Sequence, residues 1–166
     1  KNISLEIIAG TSAGAIVGGL YAFGKSPNEI LDFFKSVYFF NWKHFTLTKP
    51  GFINSDIFRL YLKPIIGEIK IKDLKKELII NATDLIQGET FVFSGDDYLL
   101  DAIIASCSVP GLASPFKKDE LLLSDGGILN NFPTNLIKEK CDKIIGIYVC
   151  PLQDVKNNQL NSIKSV

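Results

Sequence analysis

The N-terminal part of the sequence constrains the fold most tightly, because an apolar run passes directly into a helix of small residues. Residues 3–9 are apolar enough to predict a buried strand that ends at Gly10. Residues 13–23 predict a helix that Gly24 stops. Each internal glycine costs such a helix about 1 kcal/mol relative to alanine, so we expect the sheet to pack very close to it. The sequence therefore predicts a strand, a sharp turn and a helix in direct succession.

The remaining sequence alternates strand patterns with helix patterns. Ser26-Pro27-Asn28-Glu29 predicts a helix start with a capping box, and Asn54-Ser55-Asp56 caps another helix that ends near Pro64. The other predicted elements are a hairpin of 78–81 and 90–93, a helix 99–108, a strand 121–123 that leads into Asp125, a helix 133–140 and a last strand 143–149. This order, with strands that are apolar throughout, predicts an α/β fold, a three-layer sandwich around a mostly parallel central sheet flanked by helices.

Composition excludes several classes of protein. The 166 residues are 46% hydrophobic and 22% charged, as in a globular chain rather than a disordered one. Lys and Arg number 18, as do Asp and Glu, so the net charge is zero and no broad basic surface for nucleic acid is expected. No apolar run reaches the roughly 18 residues that span a bilayer. The cysteines (Cys107, Cys141 and Cys150) form no Cys-x-x-Cys pair, which argues against a disulfide framework or a zinc site.

The turn after the first strand carries a motif of catalytic serines. Gly10-Thr11-Ser12-Ala13-Gly14 fits Gly-x-Ser-x-Gly, in which a nucleophilic serine stands on a tight turn between a strand and a helix. Small flanking residues let the backbone cross closely below the serine, and the helix points its positive end at it. The Ala13 amide would then be one donor to an oxyanion. A small-residue turn that merely packs a helix on a strand is the structural alternative.

A nucleophilic serine needs a base, and the sequence offers few. The only histidine, His44, lies in a predicted loop and precedes Asp125, so the order serine, acid, histidine of α/β-hydrolases is not met. Asp125 ends a predicted buried strand and is followed by Gly126 and Gly127, which permit unusual dihedrals and close backbone approach. We therefore expect Asp125 to be the base, although an Asp-Gly turn without catalytic role is the structural alternative.

These motifs together identify a family. The sequence resembles the patatin-like phospholipases, whose members use a Ser–Asp dyad. Matching segments are Gly10-Thr11-Ser12-Ala13-Gly14, Asn81-Ala82-Thr83-Asp84-Leu85 with Gly88-Glu89, Ala105-Ser106-Cys107-Ser108-Val109-Pro110 with Ser114-Pro115-Phe116, and Asp125-Gly126-Gly127 with Asn130, Asn131 and Pro133. The resemblance runs from about residue 3 to about residue 151, nearly the whole chain.

The resemblance implies a function. Ser12 would be the nucleophile and Asp125 the base, in an enzyme that hydrolyses acyl esters of phospholipids or related lipids through an acyl-enzyme, without metal or organic cofactor. We expect a hydrolase domain over residues 1–151, a polar connector or tail over 152–166, no nucleic-acid partner, and a cytoplasmic or membrane-peripheral location.

The sequence departs from the family pattern at its N-terminal end. The family's glycine-rich oxyanion loop follows an earlier strand, and no such segment precedes Lys1 in this sequence, which contains no Met. We expect an excised segment that alone is inactive or poorly folded, because one lost oxyanion donor costs about a hundred- to thousand-fold in rate.

Two other functions are open at this stage. One is a serine-dependent acyltransferase, which would need His44 as its base. The other is a degenerate, non-catalytic module that binds lipid or a partner, for which the aromatic stretch 38–42 offers an apolar surface. A related hypothesis is that the apolar pairs Ile30-Leu31, Phe33-Phe34 and Phe39-Phe40 border the acyl-chain pocket or a membrane-facing rim.

Overall fold

The computed structural model describes residues 4–37 and 56–149, and for Asp56 and Ile57 it describes the backbone only. The strands are β1 (Ile7–Gly10), β2 (Glu77–Asp84), β3 (Glu89–Phe93), β4 (Phe116–Lys118) and β5 (Leu121–Asp125). The helices are α1 (Ala13–Phe23), α2 (Pro27–Ser36), α3 (Asp56–Ile66), α4 (Leu99–Ser106) and α5 (Gly127–Asn130), with 3-10 turns at Ile71–Asp73 and Pro133–Leu136. The predicted α/β class is confirmed.

The central strand is β2, and every residue of it after Glu77 is buried. Side chains of a strand alternate between the two faces of the sheet, so both faces of β2 are covered. Ile80 pairs with both Gly10 of β1 and Phe93 of β3. Thr83 pairs with both Thr90 of β3 and Ser124 of β5. Strand β3 therefore lies along one edge of β2, while β1 and β5 follow each other along the opposite edge.

The prediction of a mostly parallel sheet is wrong. Among the described strands only the pair β1–β2 is parallel, whereas β2–β3, β2–β5 and β4–β5 are antiparallel. The reason is the length of the connections, since β4 and β5 are separated only by Asp119 and Glu120, and a turn of two residues can join only antiparallel strands. The three-layer arrangement stays a prediction.

The helices begin and end largely where their sequence signals lie. The predicted capping box at the start of α2 is present. The Ser26 hydroxyl accepts a hydrogen bond from the Glu29 amide, and the Glu29 carboxylate accepts one from the Ser26 amide. Helix α1 ends at Gly24, whose φ of 114° lies in the left-handed region. The glycines inside α1 provide the expected close packing: a Cβ on Gly18 would crowd Ile8 of β1, and one on Gly19 would crowd Ile103 of α4.

Other boundaries differ from the predictions. Residues 143–149 form no strand, and the side chains of Ile147 and Val149 are both 81% exposed. The predicted helix 133–140 is only the 3-10 turn Pro133–Leu136. Strand β4 was not predicted, and α3 continues through Pro64 to Ile66. The apolar pattern at 143–149 is suitable for a strand, but a strand also needs a partner, which the local sequence cannot specify.

Several sequence predictions concern residues outside the described ranges. They are His44, the aromatic stretch 38–42 with Phe39 and Phe40, the helix cap at residues 54–55, Cys150 and the polar segment 152–166. Of the proposed rim residues that are described, Ile30 and Phe33 are buried in the hydrophobic core, whereas Leu31 is half exposed.

Candidate active site

Ser12 stands at a strained turn between β1 and α1. Its backbone has φ 52° and ψ −119°, a region that non-glycine residues rarely adopt and that costs of order 1–3 kcal/mol. The turn is closed by the Gly14 amide, which donates to the Thr11 carbonyl at 2.8 Å, and by the Ala15 amide, which donates to the Ser12 carbonyl at 2.8 Å. The structure thus has the sharp strand–turn–helix geometry that the motif predicts.

The two glycines that flank Ser12 have different roles. A Cβ on Gly10 would collide with the Gly14 carbonyl, so the backbone crosses itself at Gly10 as expected. A Cβ on Gly14 would meet nothing within 4 Å, and both Ala13 and Gly14 are exposed. The helix start beside Ser12 is therefore exposed at Ala13 and Gly14.

Asp125 is buried at the end of β5 with one carboxylate oxygen unused. The residue is 7% exposed, and its Oδ1 accepts from the Gly127 amide at 2.7 Å. Its amide donates to the Ser108 carbonyl at 2.9 Å, and its carbonyl accepts from the Thr83 hydroxyl at 2.9 Å. The other oxygen, Oδ2, is buried and has no hydrogen-bond partner among the described residues. Buried carboxylate oxygens without a partner are rare in folded proteins, and a catalytic role is one physical reason for such an atom.

The glycines after Asp125 serve close packing rather than unusual dihedrals. Gly126 has φ −64° and ψ −21°, which are ordinary helical values. The expectation of unusual dihedral angles at this glycine is therefore wrong. A Cβ on Gly126 would instead collide with the backbone carbonyl and side-chain amide of Asn81. A Cβ on Gly127 would lie 2.8 Å from Asp125 Oδ1, the oxygen that the Gly127 amide holds.

The register of the sheet brings the two strand ends together. Gly10 at the end of β1 pairs with Ile80, and Asp125 at the end of β5 pairs with Ala82. Because β1 and β5 run toward each other along the same edge of β2, their carboxyl ends are separated by about 7 Å of strand, the rise of two residues. The strands that lead to Ser12 and Asp125 thus meet head-on along one edge of β2, rather than lying side by side as neighbouring parallel strands.

Cys107 is a neighbour of both Ser12 and Asp125. Burial raises the pKa of its thiol, the Asp125 carboxylate raises it further, and a hydrogen bond with the Ser12 side chain opposes these effects. These influences place the buried Cys107 side chain near both Ser12 and Asp125. Since Asp125 Oδ2 has no partner among the described residues, the hydrogen bond between Ser12 and Asp125 is not formed in this structure.

A buried amide joins the two strand ends, and sequence reasoning assigned it no role. Asn81 Oδ1 accepts from the Thr11 hydroxyl, while Asn81 Nδ2 donates to the carbonyls of Gly126 at 3.3 Å and Asn130 at 3.0 Å. Its side chain is fully buried. In the sequence, Asn81 is recognisable as a polar residue inside an otherwise apolar strand. Such a buried polar side chain needs hydrogen-bond partners, which points to a structural role.

One groove in the described part of the chain lies away from this site. It has a volume of about 610 Å³ and is lined by Ile71, Lys72 and residues 74–79, with Val92, Ser94, Gly95, Leu136 and Lys140. These residues surround the N-terminal end of β2, whereas Ser12 and Asp125 lie beyond Ile80 toward its other end. The groove therefore contributes nothing to the arrangement of Ser12 and Asp125.

Comparison with known proteins identifies the family. A family model described as patatin-like phospholipase matches residues 1–137. The chain belongs to the patatin-like phospholipase family. The resemblance inferred from the motifs is thereby confirmed, and it covers both Ser12 and Asp125.

The chain is also similar to members of the NTE group of proteins. An uncharacterised NTE family protein of Mycobacterium bovis is 33% identical over 130 residues, which is 76% of this chain and 35% of the relative. Lysophospholipase NTE1 of Meyerozyma guilliermondii is 33% identical over 150 residues, covering 86% of this chain and 10% of the relative. Lysophospholipase NTE1 of Candida glabrata is 27% identical over 166 aligned residues, covering 93% of this chain and 9% of the relative. The chain thus spans about a third of the mycobacterial protein and about a tenth of the yeast proteins.

Neither a membrane-spanning helix nor a metal-ligand cluster occurs among the described residues. None of the helices there combines the length and the apolar character that a bilayer crossing requires. Within the same ranges, no three side chains of His, Cys, Asp or Glu are grouped so that they could hold a metal ion.

Proposed function

We propose that this domain hydrolyses carboxylic esters of lipids, with Ser12 as nucleophile and Asp125 as general base. The proposal depends above all on one observation: Asp125 Oδ2 is buried without a partner among the described residues, at a strand end that meets the strand leading into the strained turn of Ser12. A carboxylate oxygen that accepts no hydrogen bond from the fold is free to accept a proton from a substrate or a nucleophile. Membership of the patatin-like phospholipase family supports the same assignment.

The reaction would proceed through an acyl-enzyme. Asp125 Oδ2 takes the proton of the Ser12 hydroxyl as Oγ attacks the ester carbonyl. The developing oxyanion accepts a hydrogen bond from the Ala13 amide, aided by the positive end of α1. Collapse of the tetrahedral species expels the alcohol, which receives the proton from Asp125. Water then gives a proton to the same carboxylate, attacks the acyl-serine and releases the fatty acid, and the proton returns to Ser12.

The substrate class follows from the relatives. Two of the similar yeast proteins are named lysophospholipases, so we propose a phospholipid or lysophospholipid that still carries an acyl ester. Such substrates reside in membranes or micelles, and we propose that the protein contacts the lipid surface peripherally.

The test is hydrolysis of a lysophospholipid and of a short-chain nitrophenyl ester by the intact protein and its variants. We expect Ser12→Ala and Asp125→Asn each to lower kcat/KM at least about a thousandfold, since each removes a group that the covalent step requires. His44→Ala is the matched control, with activity retained. Full turnover in Ser12→Ala would overturn the proposal, and loss of activity in His44→Ala with retention in Asp125→Asn would favour the acyltransferase arrangement. Lipid binding without any ester cleavage would indicate a non-catalytic module.

A further inference from the structure

The last turn of α4 lies between the two strand ends that carry Ser12 and Asp125. The Ser12 amide donates to the Ser106 hydroxyl oxygen at 2.9 Å. Two residues later, the Ser108 carbonyl accepts from the Asp125 amide at 2.9 Å and from the Ser124 hydroxyl at 2.6 Å. One segment of three residues therefore bonds to both halves of the proposed dyad, across more than 90 positions of sequence in the case of Ser12.

The Ser12 amide needs a partner from outside its own turn. Strand β1 ends at Gly10, so its ladder with β2 does not extend to Ser12, and amides at the start of a helix have no acceptor within the helix. The neighbouring amides of Gly14, Ala15 and Ile16 are satisfied by the carbonyls of Thr11 and Ser12. Ser106 is fully buried, so its hydroxyl oxygen is held in place by packing when it accepts from Ser12.

We propose that Ser106 is a positioning residue for the nucleophile, an inference that rests on the proposed function. Its hydroxyl fixes the direction of the Ser12 amide and so holds the backbone at φ 52° and ψ −119°. That backbone conformation determines where the Ser12 side chain starts, and hence whether its Oγ can reach both the ester carbonyl and Asp125 Oδ2. Because Ser108, two residues after the end of α4, accepts from the Asp125 amide, the segment 106–108 aligns the two residues relative to each other.

The position of Cys107 supports this role. Cys107 lies between Ser106 and Ser108 in the sequence, and all three residues are buried. The segment 106–108 is therefore held by packing as well as by its hydrogen bonds to Ser12 and Asp125. A misplacement of reacting groups by about 1 Å is enough to reduce a rate about a hundredfold, so such contacts can influence catalysis strongly.

The experiment compares Ser106→Ala, Ser106→Thr and Ala102→Gly in the intact protein. Ser106→Ala removes the acceptor, Ser106→Thr keeps it, and Ala102→Gly loosens the same helix one turn earlier without touching Ser12. We expect Ser106→Ala to lower kcat about 10- to 100-fold with KM changed less than about twofold, and to slow labelling by a fluorophosphonate, a serine-directed probe, by a similar factor. Ser106→Thr should restore most of the rate. Ala102→Gly should lower the urea midpoint but change kcat less than about threefold.

The outcomes separate this inference from the proposed function. If Ser12→Ala and Asp125→Asn retain turnover, the proposed function itself is wrong. If those variants are inactive while Ser106→Ala keeps the wild-type kcat and labelling rate, only the role of Ser106 is wrong. Equal losses of kcat in Ser106→Ala and Ala102→Gly, in proportion to their losses of stability, would also overturn it, because any loosening of α4 would then suffice.

Discussion

At the scale of single residues, the site is held by polar side chains that the apolar core encloses. Asn81 uses its carbonyl oxygen for Thr11 and its amino group for the carbonyls of Gly126 and Asn130. An amide of this kind can donate twice and accept twice, so both hydrogens and one acceptor position are satisfied in a fully buried place. The network joins the turn after β1 to the segment after β5, and it explains how a polar residue is tolerated in the central strand.

The glycines around Ser12 give a prediction about stability. Gly10→Ala would place a Cβ against the Gly14 carbonyl, which is backbone and can move only by distorting the turn. We expect a loss of about 1–3 kcal/mol in the free energy of unfolding, as for other overpacked sites. Gly14→Ala is the matched control, because its Cβ would meet open space within a helix, where alanine gains about 0.4–1 kcal/mol. Urea unfolding measures both, and equal effects of the two substitutions would contradict the close crossing at Gly10.

At the scale of elements, sequence patterns of a few residues predicted the turns, helix starts and hairpins that depend only on neighbouring residues. The turn at Ser12, the start of α2 and the β2–β3 hairpin follow from signals within a few residues, and the structure contains all three. The head-on meeting of β1 and β5 depends instead on where each strand pairs along β2, which no short window encodes. The contact of Ser106 with Ser12 is equally non-local, so the sequence could indicate the dyad candidates but not the residues that align them.

The start of α2 gives a prediction about pH. Hydrogen bonds from the Ser26 amide and hydroxyl, with the Lys25 side chain, lower the pKa of Glu29 from 4.5 to about 2. A lowered carboxylate pKa stabilises the folded state fully above the unfolded value of 4.5, and this contribution is lost as the pH falls toward 2. We expect wild type to exceed Glu29→Gln in urea midpoint at neutral pH, and the difference to shrink over that interval.

A companion variant tests the origin of this effect. Ser26→Ala keeps the Glu29 charge but removes the hydroxyl that bonds to it, so its stability should depend less on pH than that of wild type in the same acidic range. A difference between wild type and Glu29→Gln that stays constant from neutral pH down to pH 2 would show that the capping interaction does not depend on the charge of Glu29.

At the scale of the whole molecule, apolar character alone does not decide what is buried. Residues 143–149 have the composition of a core strand, yet Ile145 is 65% exposed and the described strands leave it unpaired. Within this segment the Tyr148 ring packs edge-on to Phe132. The core instead surrounds α1, β2 and α4, whose small residues allow close approach, so shape complementarity decides which apolar segments pack together.

Two isoleucines of equal size therefore differ in their expected contribution to stability. Ile103 is fully buried in α4, with its Cδ1 in the space left by Gly19 of α1, so Ile103→Ala removes buried methyl groups and leaves a cavity. We expect it to lower the free energy of unfolding by about 2–5 kcal/mol. Ile147 is 81% exposed, and Ile147→Ala should change the same quantity by less than about 0.5 kcal/mol. Urea unfolding of both variants checks this, and a comparable loss in Ile147→Ala would mean that residues 143–149 pack in solution as the strand that their pattern predicts.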